Sequence, residues 1–249
     1  MQKRQNKKKF SNLLKWVAIL PLCALLLLWS GCNEDEIPVT NLSDEFSECN
    51  SILSPCAGSK RGEYCLFGFK WGADQDFLQA GVEVEGPETP GGTITWSFQE
   101  KNGTINTHRQ VNVPSESWSE ILGCAQGRIR NAIADWEAVA DLTFEELPVN
   151  SDSDVKFYVA AIVQSGVAFP NYRESPCNML SGDVIFDANS RERSCQGFYI
   201  NALHEIGHVL GLGHINTQNV MVPDGSKFSL PGLQAGDIAG IQEIYGAKE

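Results

Sequence analysis

Histidine is scarce in this 249-residue chain: there are four, at positions 108, 204, 208 and 214. Chemistry that needs several imidazoles must therefore draw on nearly all of them at once. No Cys-x-x-Cys pair occurs, which argues against a thiolate zinc ribbon. Basic residues are outnumbered, 19 Lys and Arg against 31 Asp and Glu, for a formal net charge of −12. A field of that sign repels a phosphate backbone, so nucleic acid is not an expected partner. There is no internal repeat. With 42% hydrophobic and 20% charged residues, the chain is neither disordered nor collagen-like, and its length suits one large domain or two small ones.

Acid is absent from residues 1–32, which differ in kind from the rest. Lys3, Arg4, Lys7, Lys8, Lys9 and Lys15 precede an apolar run from Trp16 to Trp29, interrupted by Pro21 and Cys23. That run is shorter than the ~20 residues a membrane span needs. Ending in the small pair Ser30-Gly31, it reads as an export signal, with an uncleaved anchor as the alternative. Ser30-Gly31-Cys32 resembles the end of a bacterial lipoprotein signal, although Trp29 departs from the small aliphatic residue usual there. The resemblance implies cleavage before Cys32 and lipidation of its thiol. An outer-membrane or cell-surface lipoprotein is then expected, with secretion as the alternative. Losing six basic residues leaves 13 against 31 acids, a net charge of −18.

The remaining cysteines, Cys49, Cys56, Cys65, Cys124, Cys177 and Cys195, are even in number and suit disulfides in an exported chain. Residues 33–65 are polar and lack an apolar period, so a tether with a small stapled segment is expected there, before a domain over residues 66–249. Thr93–Phe98 alternates after the turn Pro90-Gly91-Gly92 and predicts a strand. Apolar residues recur at helical spacing from Trp118 to Ala140, with Ser117 and Glu120 placed as a capping box, which predicts one helix. Leu142–Leu147, Val155–Ala160 and Asp183–Asp187 read as strands, and Gly166–Pro170 as a short edge strand. Helices follow over Cys195–Leu210 and Ala235–Tyr245. Strands and helices interleave in a single α/β or α+β domain.

The chemistry concentrates at His204-Glu205-Ile206-Gly207-His208-Val209-Leu210-Gly211-Leu212-Gly213-His214, an HExxHxxGxxH spacing. His204 and His208, four apart on a helix, leave the same face and can share one ion. Glu205, one step round, stands beside the ion and can accept a proton from a water that the ion activates. Gly211 can end the helix with a positive φ and bring His214 round as a third nitrogen ligand. Three protein ligands with one open position describe a catalytic zinc rather than a structural one. His108 reads as a surface residue.

The motif, followed by Met221 in Asn219-Val220-Met221-Val222-Pro223, resembles the zinc site and Met-turn of metzincin metallopeptidases. The nearest likeness is to the matrixins. It is carried by Asp135-Trp136-Glu137-Ala138-Val139 with Leu142-Thr143-Phe144, by Ser181–Asp187, and by Asp237-Ile238-Ala239-Gly240-Ile241-Gln242-Glu243-Ile244-Tyr245-Gly246. Lys70-Trp71-Gly72 and Thr93–Phe98 resemble the opening of bacterial metzincin domains. The resemblance implies an α+β zincin fold, a twisted mixed five-stranded sheet with three helices and a zinc cleft. Asp183 and Asp187 match positions that bind calcium in the family, and carboxylates suit that ion.

Several positions depart from the family pattern. Val167 and Ile185 stand where matrixins place histidines for a second zinc, and a Cys177–Cys195 disulfide is expected to staple that loop instead. Ile215 replaces a small hydroxyl residue, Val222 leaves no Met-turn tyrosine, and Gly236 replaces one of an acidic pair. The cysteine-switch segment PRCGxPD is absent; residues 33–65 read as a plain tether, with cover of the zinc by Cys49, Cys56 or an acid there as the alternative.

The expectation is a monomeric, exported and membrane-anchored zinc endopeptidase. Extended protein or peptide substrates would lie along Gly166–Phe169, with Glu205 as general base. The segment Pro223–Leu233 would wall the pocket for the side chain after the cut, and its apolar content points to a hydrophobic preference. The competing readings are a catalytically inactive binding lipoprotein of the same fold and a disulfide-stapled structural lipoprotein.

Overall fold

The computed structural model describes residues 59–61, 64–73, 92–107, 111–173, 177–189 and 194–249. Cys32, the export signal, most of the tether and His108 lie outside the described residues.

In chain order the elements are β1 Ser59–Arg61, β2 Tyr64–Leu66, β3 Thr93–Phe98, β4 Thr104–Asn106, β5 Asn112–Pro114, α1 Ala125–Val139, β6 Thr143–Glu146, β7 Val155–Ala160, β8 Gly166–Arg173, β9 Asn178–Asp187, α2 Cys195–Val209 and α3 Ala235–Tyr245. The main sheet has the order β6-β3-β7-β9-β8. All its pairings are parallel except β8 with β9, which is antiparallel and places β8 on an edge. The result is the expected mixed five-stranded sheet with three α-helices.

Alternation explains the inner strands. Along β7 the residues Val155, Phe157 and Val159 point into the core, while Lys156 and Tyr158 are only half-buried. Helices α1 and α2 pack closely, with Ile129, Ala132, Ile133 and Trp136 against the face of α2. Trp136 is fully buried, and its indole N–H donates to the Leu203 carbonyl at 3.2 Å, so the ring satisfies its one polar atom inside the core.

The helix expected over Trp118–Ala140 is broken in two. Ser117 accepts from the Ser119 amide and caps a single turn at Trp118–Glu120, after which Ile121 is extended and α1 starts at Ala125. Gly123 sits in the break, where its poor helix propensity favours interruption. Trp118 is held there by its indole N–H on the Gln99 carbonyl at 3.0 Å. The Asp183–Asp187 strand is the second half of the longer β9, and the Gly166–Pro170 strand extends to Arg173.

The expected Cys177–Cys195 disulfide does not form: Cys195 is bonded to Cys124. Cys195 opens α2 and Cys124 caps α1, so the helix pair that packs side by side brings these two sulfurs together. Cys177 lies at the far end of β9, where its carbonyl accepts from the Lys70 amide, and it belongs to a different disulfide, as does Cys65. Among the described residues, no disulfide links Cys177 to Cys195 beside Val167 and Ile185. Those residues stand opposite each other across β8 and β9 and join Ile105, Ala160 and Phe169 in a small apolar cluster beneath β4 and β5.

Residues Tyr64–Leu66 are built into the domain. The Cys65 carbonyl accepts from the Gly213 amide at 2.9 Å, and the Phe67 amide donates to the Gly211 carbonyl at 2.8 Å.

Candidate metal centre

Helix α2 begins with Ser194, whose hydroxyl accepts from the Gly197 amide, and ends in a Schellman turn. The Leu212 amide donates to the Gly207 carbonyl and the Gly211 amide to the His208 carbonyl, with Gly211 at φ +106°. A side-chain carbon on Gly211 would stand 2.6 Å from the Phe69 carbonyl oxygen, so both conformation and space require glycine. The indole N–H of Trp71 and the hydroxyl of Tyr245 donate to the carbonyls of Val209 and Leu210, closing the helix end. These contacts give physical content to Lys70-Trp71-Gly72 and to the tyrosine near the C-terminus.

The turn delivers His214 to the two helical histidines. The Nε2 atoms of His204, His208 and His214 lie 3.1, 3.1 and 3.2 Å apart, and all three residues are buried. Among the described residues, these three are the group of His, Cys, Asp and Glu placed to hold a metal. The donor set fits zinc on two grounds. His204 Nδ1 lies 2.6 Å from the Val220 carbonyl and His208 Nδ1 2.9 Å from the Leu212 carbonyl, so each Nδ1–H donates there and each Nε2 keeps its lone pair. A triangle with such edges has a point above it ~2.0–2.1 Å from all three corners, the length of a zinc–imidazole bond. Burial, helped by the charges of Lys227 and the other imidazoles, pushes His204 and His208 well below the usual histidine range, which favours the neutral form a ligand needs.

Glu205 is also buried and lines the same cleft, of about 230 Å³, with Gly166, Val167 and Ala168 of β8 on one side and Pro223 and Lys227 on another. Burial pushes its carboxyl up to about 7, against the opposing charge of Lys227. Gly166 leaves it room: a side-chain carbon there would stand 3.0 Å from Glu205 Oε1 and 2.6 Å from Asn201 Nδ2. Asn201, one turn before Glu205, accepts from the Ser165 hydroxyl at 3.0 Å and ties the start of β8 to the helix.

Met221 packs against α2 at Gly207, where a side-chain carbon would stand 2.5 Å from its sulfur. Its carbonyl accepts from the Ile215 amide, one residue past the third histidine. Asp237 holds the turn from the other side. Its carboxylate accepts from the amides of Val220, Met221 and Gln234, the last closing a capping box on α3. Burial pushes its carboxyl up to about 6 despite those bonds. Asp237 was visible in the sequence as part of the C-terminal signature, but its grip on the Met-turn was not. Lys227 and Asn201 carried no signal, because a lysine in a loop and an asparagine on a helix ordinarily face solvent.

Asp183 and Asp187 are not brought together. They sit four residues apart on β9, a separation of ~13 Å along a strand. Asp183 accepts from the Tyr158 hydroxyl, while Asp187 Oδ1 accepts from the Ile162 amide and the Asn189 side chain.

Residues 110–246, more than half of the chain, match the sequence profile of the family described as matrixin. Human matrix metalloproteinase-19 is 33% identical over 158 residues, covering 57% of this chain and 29% of its own length. Rat matrix metalloproteinase-16 is 31% identical over 168 residues, covering 56% of this chain and 27% of its own. Horse stromelysin-1 is 30% identical over 133 residues, covering 47% and 28%. The aligned part thus spans less than a third of the length of each of these relatives. With its edge strand beside a three-histidine cluster, its Met-turn and its closing helix, this chain belongs to the matrixin family of metzincin metallopeptidases.

Proposed function

We propose that this protein is an exported, membrane-anchored zinc endopeptidase that cuts extended segments of extracellular proteins. The observation that carries the reading is the buried triangle of His204, His208 and His214 beside Glu205, in a cleft bordered by the edge strand β8.

His204, His208 and His214 would hold the zinc ion, which when bound polarises a water molecule and a peptide carbonyl. Main-chain groups of β8 pair with an extended substrate as an added strand and fix its register across the cleft. The Glu205 carboxylate takes a proton from the attacking water and passes it to the departing amide nitrogen. Its burial suits both halves of that task, since a carboxyl raised to about 7 holds and releases a proton near neutral pH. Gly166, held against the helix by the Ser165–Asn201 hydrogen bond, leaves room for it, and Met221, pinned by Asp237, supports the floor beneath the histidines.

Export and anchoring rest on the basic, then apolar, N-terminal segment ending in Ser30-Gly31-Cys32, and the acidic residues after it suit a solvated tether. Fluorogenic casein with and without a chelator tests the peptidase reading, which requires loss of cleavage on chelation and recovery on adding zinc. Incorporation of labelled palmitate, abolished in Cys32→Ala, tests the anchor; unlabelled wild-type chain would refute it.

A further inference from the structure

Asn201 is only 1% exposed and lies four residues before Glu205 on α2, so the two side chains leave the same face one turn apart. Its Oδ1 accepts from the Ser165 hydroxyl at 3.0 Å. Its Nδ2 is buried and donates to nothing. A buried donor without an acceptor is costly, and one that is kept calls for an explanation. The planar amide carries its nitrogen away from its oxygen, so the bond to Ser165 aims Nδ2 at Gly166 and Glu205. A side-chain carbon on Gly166 would stand 2.6 Å from Nδ2 and 3.0 Å from Glu205 Oε1, so both atoms face one small gap beside β8. The carboxylate lacks the complementary group: among the described residues, no hydrogen bond reaches either Glu205 oxygen. A donor without an acceptor thus faces an acceptor without a donor.

We propose that Asn201 is a positioning residue for Glu205, its Nδ2–H donating to Oε1 while Oε2 faces the attacking water. The proposal rests on the peptidase reading above and adds to it the group that aims the base. A turn of Glu205 about its end bonds closes the gap, and Gly166, with no side chain, leaves it room. With Oε1 held, a single oxygen is presented to the water, and the lone pair that takes the proton keeps one direction. The bond is charge-assisted, because Glu205 meets the water as a carboxylate. Oε2 takes the proton and passes it to the leaving nitrogen, while Asn201 keeps both of its own. Ser165 decides the sense of the contact. With the amide reversed, its oxygen would face the carboxylate and repel it.

The first test is a crystal structure of the zinc-loaded full chain that shows ordered water. Asn201 Nδ2 is expected ~2.7–3.2 Å from Glu205 Oε1. A water on Nδ2 in place of Glu205, or an Nδ2 turned away from it, overturns the proposal, and this readout requires no variant to fold. The second test is steady-state kinetics of Asn201→Ala, which suits the helix and removes the donor. It is expected to lower kcat ~10- to 100-fold, with KM within ~2-fold of wild type and one zinc per chain. In a Glu205→Ala background the same change is expected to cost nothing further, since the group it aims is gone. An equal fall in both backgrounds, or an unchanged kcat in folded Asn201→Ala, overturns the proposal while leaving the peptidase reading intact. Absence of cleavage by wild type contradicts the peptidase reading, and the Nδ2–Oε1 distance still decides whether Asn201 holds Glu205.

Discussion

The sulfur of Met221 occupies the space that a side chain on Gly207 would need, 2.5 Å from where its first carbon would stand. Gly207 lies between the two helical histidines, so the Met-turn touches α2 directly beneath the cluster. Gly207→Ala must push the Met-turn away or bend the helix. The expected result is a loss of ~1–3 kcal/mol in unfolding free energy, typical of overpacking, together with weaker zinc retention in competition with a chelator. Unchanged zinc retention would show that the contact is packing alone.

Gly166 makes the corresponding space for Glu205, the proposed general base. Gly166→Ala sets a methyl group 3.0 Å from Glu205 Oε1 and 2.6 Å from Asn201 Nδ2. Neither neighbour is the end of a long, free side chain, so Glu205 shifts. Turnover is expected to fall ~10- to 100-fold, as misplacement by a fraction of an ångström does, with zinc stoichiometry preserved. Steady-state kinetics with metal analysis separate the two effects.

Cys124 and Cys195 join the starts of α1 and α2 across 71 residues. A link closing a loop of that length restricts the unfolded chain by about 4 kcal/mol in the chain-entropy description. Replacing both by serine is expected to cost ~2–5 kcal/mol, read by urea unfolding. The histidine cluster should still form in the folded fraction, because none of its contacts uses either sulfur.

Asp237 supplies a pH dependence with a definite sign. Its folded carboxyl is raised to about 6 from an ordinary 3.8, mainly by burial. The folded state therefore binds the proton more tightly than the unfolded state. The associated stability is full below the unfolded value and is lost as pH rises through about 6. Two units correspond to on the order of 3 kcal/mol. Asp237→Asn, which keeps the size but cannot ionise, should lose this dependence. Wild type is thus expected to lose ground to the variant between pH 4 and 7. The same variant weakens the grip on the Val220 and Met221 amides at every pH, which sets an offset but not a slope.

The elements legible in the sequence were those whose burial follows their own period. Thr93–Phe98, Val155–Ala160 and Ala235–Tyr245 have the bounds that alternation or helical spacing implies. The break at residues 121–124 was hidden because apolar spacing continues through it, while the chain turns at Gly123 for reasons of backbone and tertiary packing. The three histidines were legible because one helical turn and one glycine fix their meeting. The Cys124–Cys195 link was not, since pairing depends on which helices lie side by side rather than on which loop two cysteines flank. Lys227 was hidden for a similar reason: its burial follows from the turn that Asp224 caps, and loop composition does not show which way a side chain faces.

The account stands most directly on Glu205. Zinc content and hydrolysis of an unfolded protein, measured together on wild type and Glu205→Ala, isolate its role. One zinc per chain is expected in both, with turnover in the variant reduced by ~10²- to 10⁴-fold. Equal turnover in the two proteins, or one zinc per chain without hydrolysis in wild type, would contradict the account.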